Sequence, residues 1–526
     1  MPERRALPRP LLPLGIAAFV AAVAGAVLTL AFPALGWWPM ALVAVPPTLL
    51  TLIGRRAWGA VLVGFVFGAV FFLINVGFTA RYLGPVPWLA LTTLEAALTA
   101  AFAVPIAWAY RWLPALLPAP WARVSVLPAL VAGLWTMREQ VLGSWPYGGF
   151  PWGRIGVSQV GGPFAPLASW TGISGITFVV VFGCAAVIEY ARIRRLRDLR
   201  LAIPILAAAV VLLAVPQFPT TPAGTMRIGA VQGNGPTGYF DRHSPGAVLD
   251  AQLAATAALG GKKMDLLVWP EGGIDSDPTR EAATAATLDS LATSMQAPLL
   301  VSAITQRGGD YFNSSLLWES GADNPVQIYD KRHPVPFGEY VPDRAVYRFF
   351  APGLIDLIGR DYTPGTAPPI VDVHGIEVGL AICFDVIYDD VIFDGARAGA
   401  QVYAFQTNNA DFRGTDENLQ QLAFARMSAI ETGRAVVNIS TVGTSQIIAP
   451  DGSEIAGLDA DTAGAMLEDV PLRTGLTPAV IAGPALKAVF GWGSAGVLAV
   501  VGLLAWRRRA QRKDAGPGGT GIAAQG

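Results

Sequence analysis

Long apolar runs separated by short basic clusters fill the first 216 residues, and the pattern then changes character. A bilayer core takes roughly 20 consecutive apolar residues per helix. Seven stretches meet or approach that length, at about 11–32, 37–53, 57–79, 87–110, 124–142, 165–190 and 201–216, and an eighth follows at about 488–506. Pro46 and Pro47 interrupt the second, Arg138 and Glu139 sit near the end of the fifth, and the seventh is short. Between 226 and 477 the periodicity is that of a soluble α/β protein, and a polar Gly/Ala/Gln tail closes the chain. The expected organisation is a helical membrane bundle of about eight spans with an inserted α/β domain. It divides as a seven-helix bundle over 1–216, the inserted domain over 217–487, a last span at 488–506 and a tail at 507–526.

Arginine sets the orientation of such a bundle. Arg4, Arg5 and Arg9 precede the first span, and Arg55 and Arg56 separate the second and third. Arg111 and Arg123 separate the fourth and fifth. Arg192, Arg194, Arg195, Arg197 and Arg200 separate the sixth and seventh, and Arg507, Arg508, Arg509, Arg512 and Lys513 follow the eighth. All five clusters fall on one side, against only Arg81, Arg138 and Arg154 on the other. The rich side is cytoplasmic, so both termini are inside and 217–487 is outside. The first run is not read as a cleaved signal peptide: it is long, and its end (Leu30–Gly36) lacks a small-x-small site. Glu95, inside the fourth span, is expected to face a polar pocket and bond a hydroxyl or backbone group, because an acid at that depth is costly. Arg138 and Glu139 are expected at a helix end near the surface.

Composition agrees with this division. Hydrophobic residues make up 53% of the 526 and charged residues 14%, against about 25% charged in soluble domains. A net charge of -1 gives no electrostatic reason for a nucleic-acid partner. Two cysteines exclude a disulfide scaffold. The three histidines, His243, His333 and His374, are scattered without ligand spacing, so no metal is expected. No phosphate-binding glycine loop is present, and no cofactor is expected.

Within the soluble part, nine segments suit strands: 226–232, 265–269, 298–303, 314–318, 326–329, 376–382, 401–406, 435–440 and 445–449. Leu419, Leu422, Ala423, Arg426 and Ile430 have helical spacing between two of them, which implies a layered α/β domain. Three strands end in a reactive group: Glu271 in VWPEGG, Lys331 in YDKRHPVPFGEYVP and Cys383 in LAICFD. Singly, each has an ordinary reading as a solvated end or a small core residue. Together they suit acyl transfer. A thiol with a pKa near 8.5 needs a base or a cation to become a nucleophile. A carboxylate can take its proton, and an ammonium can stabilise the oxyanion.

The segments WPE, DK-x-H-x-VPFGEYVP and ICFD resemble the nitrilase superfamily and, within it, the apolipoprotein N-acyltransferase family. Pro336–Pro342 is the most specific motif, and QGN (232–234), QTNNADF (406–412) and ARMSAIETGR (425–434) resemble further family segments. The resemblance implies a nitrilase α-β-β-α sandwich, with Glu271 as general base, Lys331 as charge stabiliser, Cys383 as nucleophile and Glu339 orienting Lys331. Phe384 and Asp385 stand where many members have Tyr-Glu, and Asp411-Phe412 where many have Trp-Phe. The apolar yet loop-like run Ala351–Gly365 reads as a packed surface loop, or by the resemblance as a lid dipping into the outer leaflet. The implied reaction takes a fatty acyl chain from a membrane phospholipid, through a cysteine thioester, to the N-terminal amine of a diacylglyceryl-cysteine lipoprotein. The implied setting is the bacterial cytoplasmic membrane, with the enzyme a monomer. Two alternatives are a membrane-tethered amidase hydrolysing small amides, and a transporter or scaffold with a degenerate outer domain. The intact Glu271, Lys331 and Cys383 argue against the last.

Overall fold

The structure, a computed structural model, describes residues 9–193 and 199–514. Arg4, Arg5, Arg194, Arg195, Arg197 and the tail beyond Asp514 lie outside the described residues, as do the side chains of Arg512 and Lys513.

Small residues let the first helices approach closely. They are α1 (Leu14–Thr29), α2 (Pro39–Leu52), α3 (Ala57–Asn75), α4 (Thr79–Leu83) and α5 (Pro85–Leu116). A Cβ on Gly25 of α1 would lie 2.6 Å from the Phe67 carbonyl oxygen on α3, and one on Gly64 would lie 2.5 Å from Ala103 on α5. Glycine and alanine at such contacts allow the backbone proximity on which helix association in lipid depends. The bundle continues with α6 (Pro120–Val124), α7 (Val126–Leu142), α8 (Ala168–Arg192) and α9 (Leu199–Ala214).

Helices occupy each of the eight expected positions. Four runs, Ala57–Asn75, Pro85–Leu116, Ala165–Arg192 and Pro478–Gln511, are long and apolar enough to cross a membrane. The helices α1, α2, α7 and α9 have 16, 14, 17 and 16 residues. Pro46 and Pro47 lie within α2 rather than ending it. The last run begins at Pro478 rather than 488, as α16 (Pro478–Ala488), a π-helical turn and α17 (Ser494–Asp514). Thr477 starts it as an N-cap, accepting from the Val480 N–H at 3.3 Å with proline at the first helical position.

Arg138 and Glu139 are not at the surface, as the sequence suggested, but buried. The polar end of α7 is covered by α8 and by the loop between them. Glu139 takes the Ile155 N–H at 3.1 Å, the Thr177 hydroxyl at 2.8 Å and the Trp135 indole N–H at 3.3 Å, and lies 3.3 Å from the Arg138 guanidinium. Glu95 is buried, but its Oε2 has no hydrogen-bond partner, so the hydroxyl or backbone bond expected of it is not made at that oxygen.

After α9 the period changes from helical to alternating and the chain builds two six-stranded sheets. The first has the order β12-β1-β2-β3-β4-β5, with β1 (Thr221–Gln232), β2 (Leu266–Val268), β3 (Leu299–Arg307), β4 (Asp310–Trp318), β5 (Gln327–Asp330) and β12 (Gly464–Thr474). The second has the order β11-β10-β9-β8-β7-β6, with β6 (Ile370–Val373), β7 (Ile376–Ile382), β8 (Val402–Thr407), β9 (Val436–Ser440), β10 (Ser445–Ile448) and β11 (Glu454–Leu458). The central strands β1-β2-β3 and β7-β8-β9 are parallel and the flanking ones antiparallel. All nine expected strands are present. The missed ones, β6, β11 and β12, are edge strands with exposed polar residues such as Asp372, Glu454 and Asp469, which dilute the apolar signal.

Alternation in β7 shows how the layers form. Val378, Leu380 and Ile382 join the core between the sheets, where Ile228, Val268, Leu300 and Leu317 meet them. Ala381 faces the other way, toward α14 (Asp389–Arg397) and α15 (Glu417–Thr432). The helices α10 (Ala247–Thr256) and α11 (Ala282–Met295) cover the outer face of the first sheet. The result is an α-β-β-α sandwich, as the resemblance implied. Residues of α14 and α15 share one hydrophobic core with the bundle, so the sandwich rests on the membrane helices through that layer.

Glu139→Ala should be strongly destabilising, by about 3–5 kcal/mol, because it leaves the Arg138 charge buried without its partner. Thermal unfolding of the purified protein in detergent should show a lowered Tm, and a Tm like that of the parent would contradict the buried network.

Candidate active site

Three strand ends converge above the second sheet. Glu271 follows β2, Lys331 follows β5 and Cys383 follows β7. Lys331 is buried, and its Nζ lies 2.9 Å from Glu339 Oε2 and 3.2 Å from Glu271 Oε1. Asn313 of β4 donates to both carboxylates, at 2.7 Å to Glu271 and 2.9 Å to Glu339. The Val335 N–H adds a bond of 2.7 Å to Glu339 Oε2, which fixes that carboxylate within the PFGEYVP turn.

Cys383 begins a short turn (Cys383–Ile387) at φ 49°, the left-handed region that a non-glycine residue adopts only under constraint. Its Sγ lies 3.7 Å from Gln421 Nε2 of α15 and 4.0 Å from the Asn408 carbonyl oxygen. Behind it, Asn409 donates to Glu417 at 2.7 Å and to Gln421 at 3.0 Å, and accepts from the Ser440 hydroxyl at 2.6 Å. Asp385 faces away from the thiol. It accepts from the Tyr329 hydroxyl at 2.9 Å and the backbone N–H groups of His333 at 2.8 Å and Arg332 at 3.3 Å, so it ties the turn that begins at Cys383 to the loop after Lys331.

Burial raises the thiol of Cys383 well above its ordinary pKa, and the neighbouring Glu271 adds to the rise while Lys331 opposes it. Burial also raises Glu271, with Lys331 pulling the other way. Lys331 is held as a cation: burial alone would lower its pKa, but Glu271 and Glu339 carry it well above normal. These shifts favour a protonated thiol beside Glu271 and the Lys331 ammonium. Burial raises Glu417 to about 8.

The site's approach is aromatic and mixes both parts of the chain. Phe384 packs on Phe150 of the α7–α8 loop at 6.0 Å between ring centroids. Phe412 meets Phe78 at 5.4 Å and Tyr82 of α4 at 6.5 Å. Asp411 accepts the Tyr239 N–H at 2.8 Å, and burial raises its pKa to about 6. The Tyr239 hydroxyl donates to the Leu357 carbonyl of the 351–365 segment. That segment contains α13 (Pro352–Ile355) and follows α12 (Arg344–Phe350). Ile355 and Ile358 pack on Val341, Phe337 and Leu83, while Phe349 and Phe350 point outward, 81% and 77% exposed.

The chain matches two family models, the apolipoprotein N-acyltransferase N-terminal domain over residues 24–186 and carbon-nitrogen hydrolase over 227–475. An apolipoprotein N-acyltransferase of Mycolicibacterium smegmatis is 31% identical over 496 residues, covering 88% of this chain and 82% of the relative. One of Azotobacter vinelandii is 31% identical, covering 95% of this chain and 96% of the relative. The chain belongs to the apolipoprotein N-acyltransferase family. Membership supports acyl transfer over the small-amide hydrolysis that the same three residue types would also permit. A crystal structure of a CN-hydrolase superfamily protein from Xanthomonas campestris is 20% identical, covering 51% of this chain and 97% of that one at a TM-score of 0.36.

Glu271, Lys331, Glu339 and Cys383 are gathered in one cluster, with Phe384 and Asp385 on the turn that carries the thiol. His333, by contrast, is held by Asp390 at 3.0 Å and stacks on Tyr388 at 3.9 Å. Residue types alone did not single out Asn313, Glu417 or Gln421. Asn313 left one trace, a polar residue leading into the aliphatic end of β4. Glu417 and Gln421 lie one turn apart on α15, facing the same way as Leu422 and the other core positions, and give no local signal. Among the described residues no cluster of three His, Cys, Asp or Glu is arranged to hold a metal.

Asn313→Ala should move the acid limb of turnover to higher pH. Its hydrogen bond lowers the pKa of Glu271, so losing it leaves this carboxyl protonated over a wider acidic range. Turnover near neutrality should fall by about tenfold or more, as for loss of a hydrogen bond to a charged group. A pH–rate profile of the variant checks both, and an unmoved acid limb would show that Asn313 does not tune this carboxylate.

Proposed function

We propose that this protein acylates the N-terminal amine of diacylglyceryl-cysteine lipoproteins, using a membrane phospholipid as acyl donor and Cys383 as nucleophile. The observation that carries the reading is the position of the Glu271–Lys331–Glu339–Cys383 cluster. It lies in a sandwich that shares its hydrophobic core with membrane-type helices, with an aromatic approach formed by both. Both lipid substrates reside in a bilayer, which is where such a site has to open.

In the first half-reaction the Cys383 sulfur attacks the ester carbonyl carbon of the phospholipid as Glu271 takes the thiol proton. The Lys331 ammonium stabilises the oxyanion. Collapse breaks the ester C–O bond, and the leaving glycerol oxygen takes the proton from Glu271, giving a lysophospholipid and a thioester. In the second, the lipoprotein amine attacks the thioester carbonyl and passes a proton to Glu271. The C–S bond breaks and the sulfur regains that proton, leaving an amide. Glu339 keeps Lys331 in place through both halves, and Asp385 holds the turn on which Phe384 and the thiol sit.

The five arginine clusters support eight spans with both termini in the cytoplasm and the sandwich on the outer face of the bacterial cytoplasmic membrane. The protein works as a monomer in this reading. A reporter fused after residue 220 should be active only outside the cytoplasm, and one fused after Asp514 only inside. The opposite pattern would relocate the site.

The decisive measurement is the fate of labelled acyl-enzyme. Phospholipid alone should leave label on Cys383, and a diacylglyceryl-cysteine peptide should discharge it as the amide. Cys383→Ala should form neither product. Release into water with no faster transfer to the peptide would make the enzyme a hydrolase instead.

A further inference from the structure

The turn that carries the thiol is gripped from the membrane side. Arg154 lies in the loop between α7 and α8 and is buried. Its Nη2 donates to the Ile387 carbonyl oxygen at 3.0 Å, the last residue of the Cys383–Ile387 turn. Its Nη1 bonds Asp389 Oδ1 at 2.6 Å, and the guanidinium lies 5.4 Å from the Phe424 ring centroid on α15. Asp389 is held ionised: burial would raise its pKa, but Arg154 and Lys487 bring it to about 2. Lys487 approaches the same carboxylate at 3.3 Å from α16.

The surrounding loop repeats the grip. The Tyr388 hydroxyl donates to the Gly149 carbonyl at 3.0 Å, and the Tyr388 ring sits edge-on to Phe384 at 5.3 Å. Phe150 stacks on Phe384 and Trp152. Trp152 donates its indole N–H to Gln420, the neighbour in sequence of Gln421, whose amide faces the thiol. Residues 149–154 thus reach the sulfur's surroundings along two routes, the turn after it and the helix facing it.

We propose that Arg154 is a positioning residue for acyl transfer, acting from the membrane bundle to seat the turn that bears Cys383. A left-handed cysteine persists only where its surroundings over-determine it. The Ile387 carbonyl closes that turn, and Arg154 binds it in a forked geometry together with Asp389, which a point charge cannot reproduce. An arginine that only docked two domains would have no need to bond the turn itself. The inference rests on Cys383 being the nucleophile.

The test uses the full-length protein in detergent with Arg154→Lys, Arg154→Gln and Tyr388→Phe. A control, Arg123→Gln, breaks the 2.6 Å ion pair to Glu189 that is remote from the thiol. Turnover of a fluorescent phospholipid with a diacylglyceryl-cysteine peptide is measured beside the pH dependence of Cys383 alkylation by iodoacetamide. Both Arg154 variants should lose about a hundredfold in kcat, the scale of misplacing a reacting group, with donor KM within about twofold of the parent. The alkylation midpoint should move to higher pH, because a thiol displaced from Lys331 loses a neighbouring cation that favours its ionisation. Tyr388→Phe, which removes a single hydrogen bond, should lose about tenfold. Arg123→Gln should lower Tm without moving the midpoint. The inference is overturned if folded Arg154→Lys and Tyr388→Phe keep parental kcat and midpoint while Cys383→Ala is inactive. Turnover by Cys383→Ala would overturn the nucleophile assignment itself, whatever Arg154 does.

Discussion

A single ammonium, Lys331, organises the outer domain. Burying an unpaired ammonium costs several kcal/mol even after relaxation, so the chain has to bring carboxylates to it. It brings two, Glu271 from the end of β2 and Glu339 from the turn beyond β5, and Asn313 on β4 bridges the pair. Three strands of one sheet, β2, β4 and β5, are thereby fixed at the same end. The second sheet contributes only the thiol, and Asp385 joins its turn to the backbone just after Lys331. Burial raises the neighbouring Cys383 thiol above its ordinary pKa, and the surplus negative charge of two carboxylates around one cation adds to the rise.

Buried charge is used the same way at the junction of sandwich and bundle. Arg154 and Lys487 share the carboxylate of Asp389 there. Glu431 of α15 accepts the Ile173 N–H at 2.7 Å beside the kink at Gly172 in α8, which places an acceptor where a helix start needs one. Such groups contribute little net stability compared with apolar packing, but they admit only one docking geometry. The apolar core running from α3 and α8 into α14 and α15 supplies the adhesion, and the charges supply its register.

The hydrophobic rhythm was enough to place the helices α1, α2, α3, α5, α7, α8 and α9 and the central strands of both sheets, because those elements are apolar on a simple period. It failed at β6, β11 and β12, whose polar outward faces look like loop, and at the start of the last helix, where Pro478 and Pro484 break the apolar run that α16 nevertheless continues. Glu271, Lys331 and Cys383 were visible because each is a reactive group at a strand end. Asn313, Glu417 and Gln421 were not, since their partners are distant in sequence: Asn313 and Glu271 are 42 positions apart and Gln421 and Cys383 38. Arg138 and Glu139 misled for the opposite reason. A charged pair near a helix end reads as surface until a second helix is known to cover it.

The pairing of β1 with β12 sets Thr221 opposite Thr474, so the strand that opens the sandwich and the strand that closes it lie side by side. The polypeptide leaves the bundle and returns to it within one strand spacing. A module with adjacent ends can be spliced into a helical hairpin without forcing the helices apart. The covalent path therefore imposes almost nothing on how the sandwich is oriented. Orientation is left to the side chains that meet across the seam, Arg154, Asp389 and Lys487 among them.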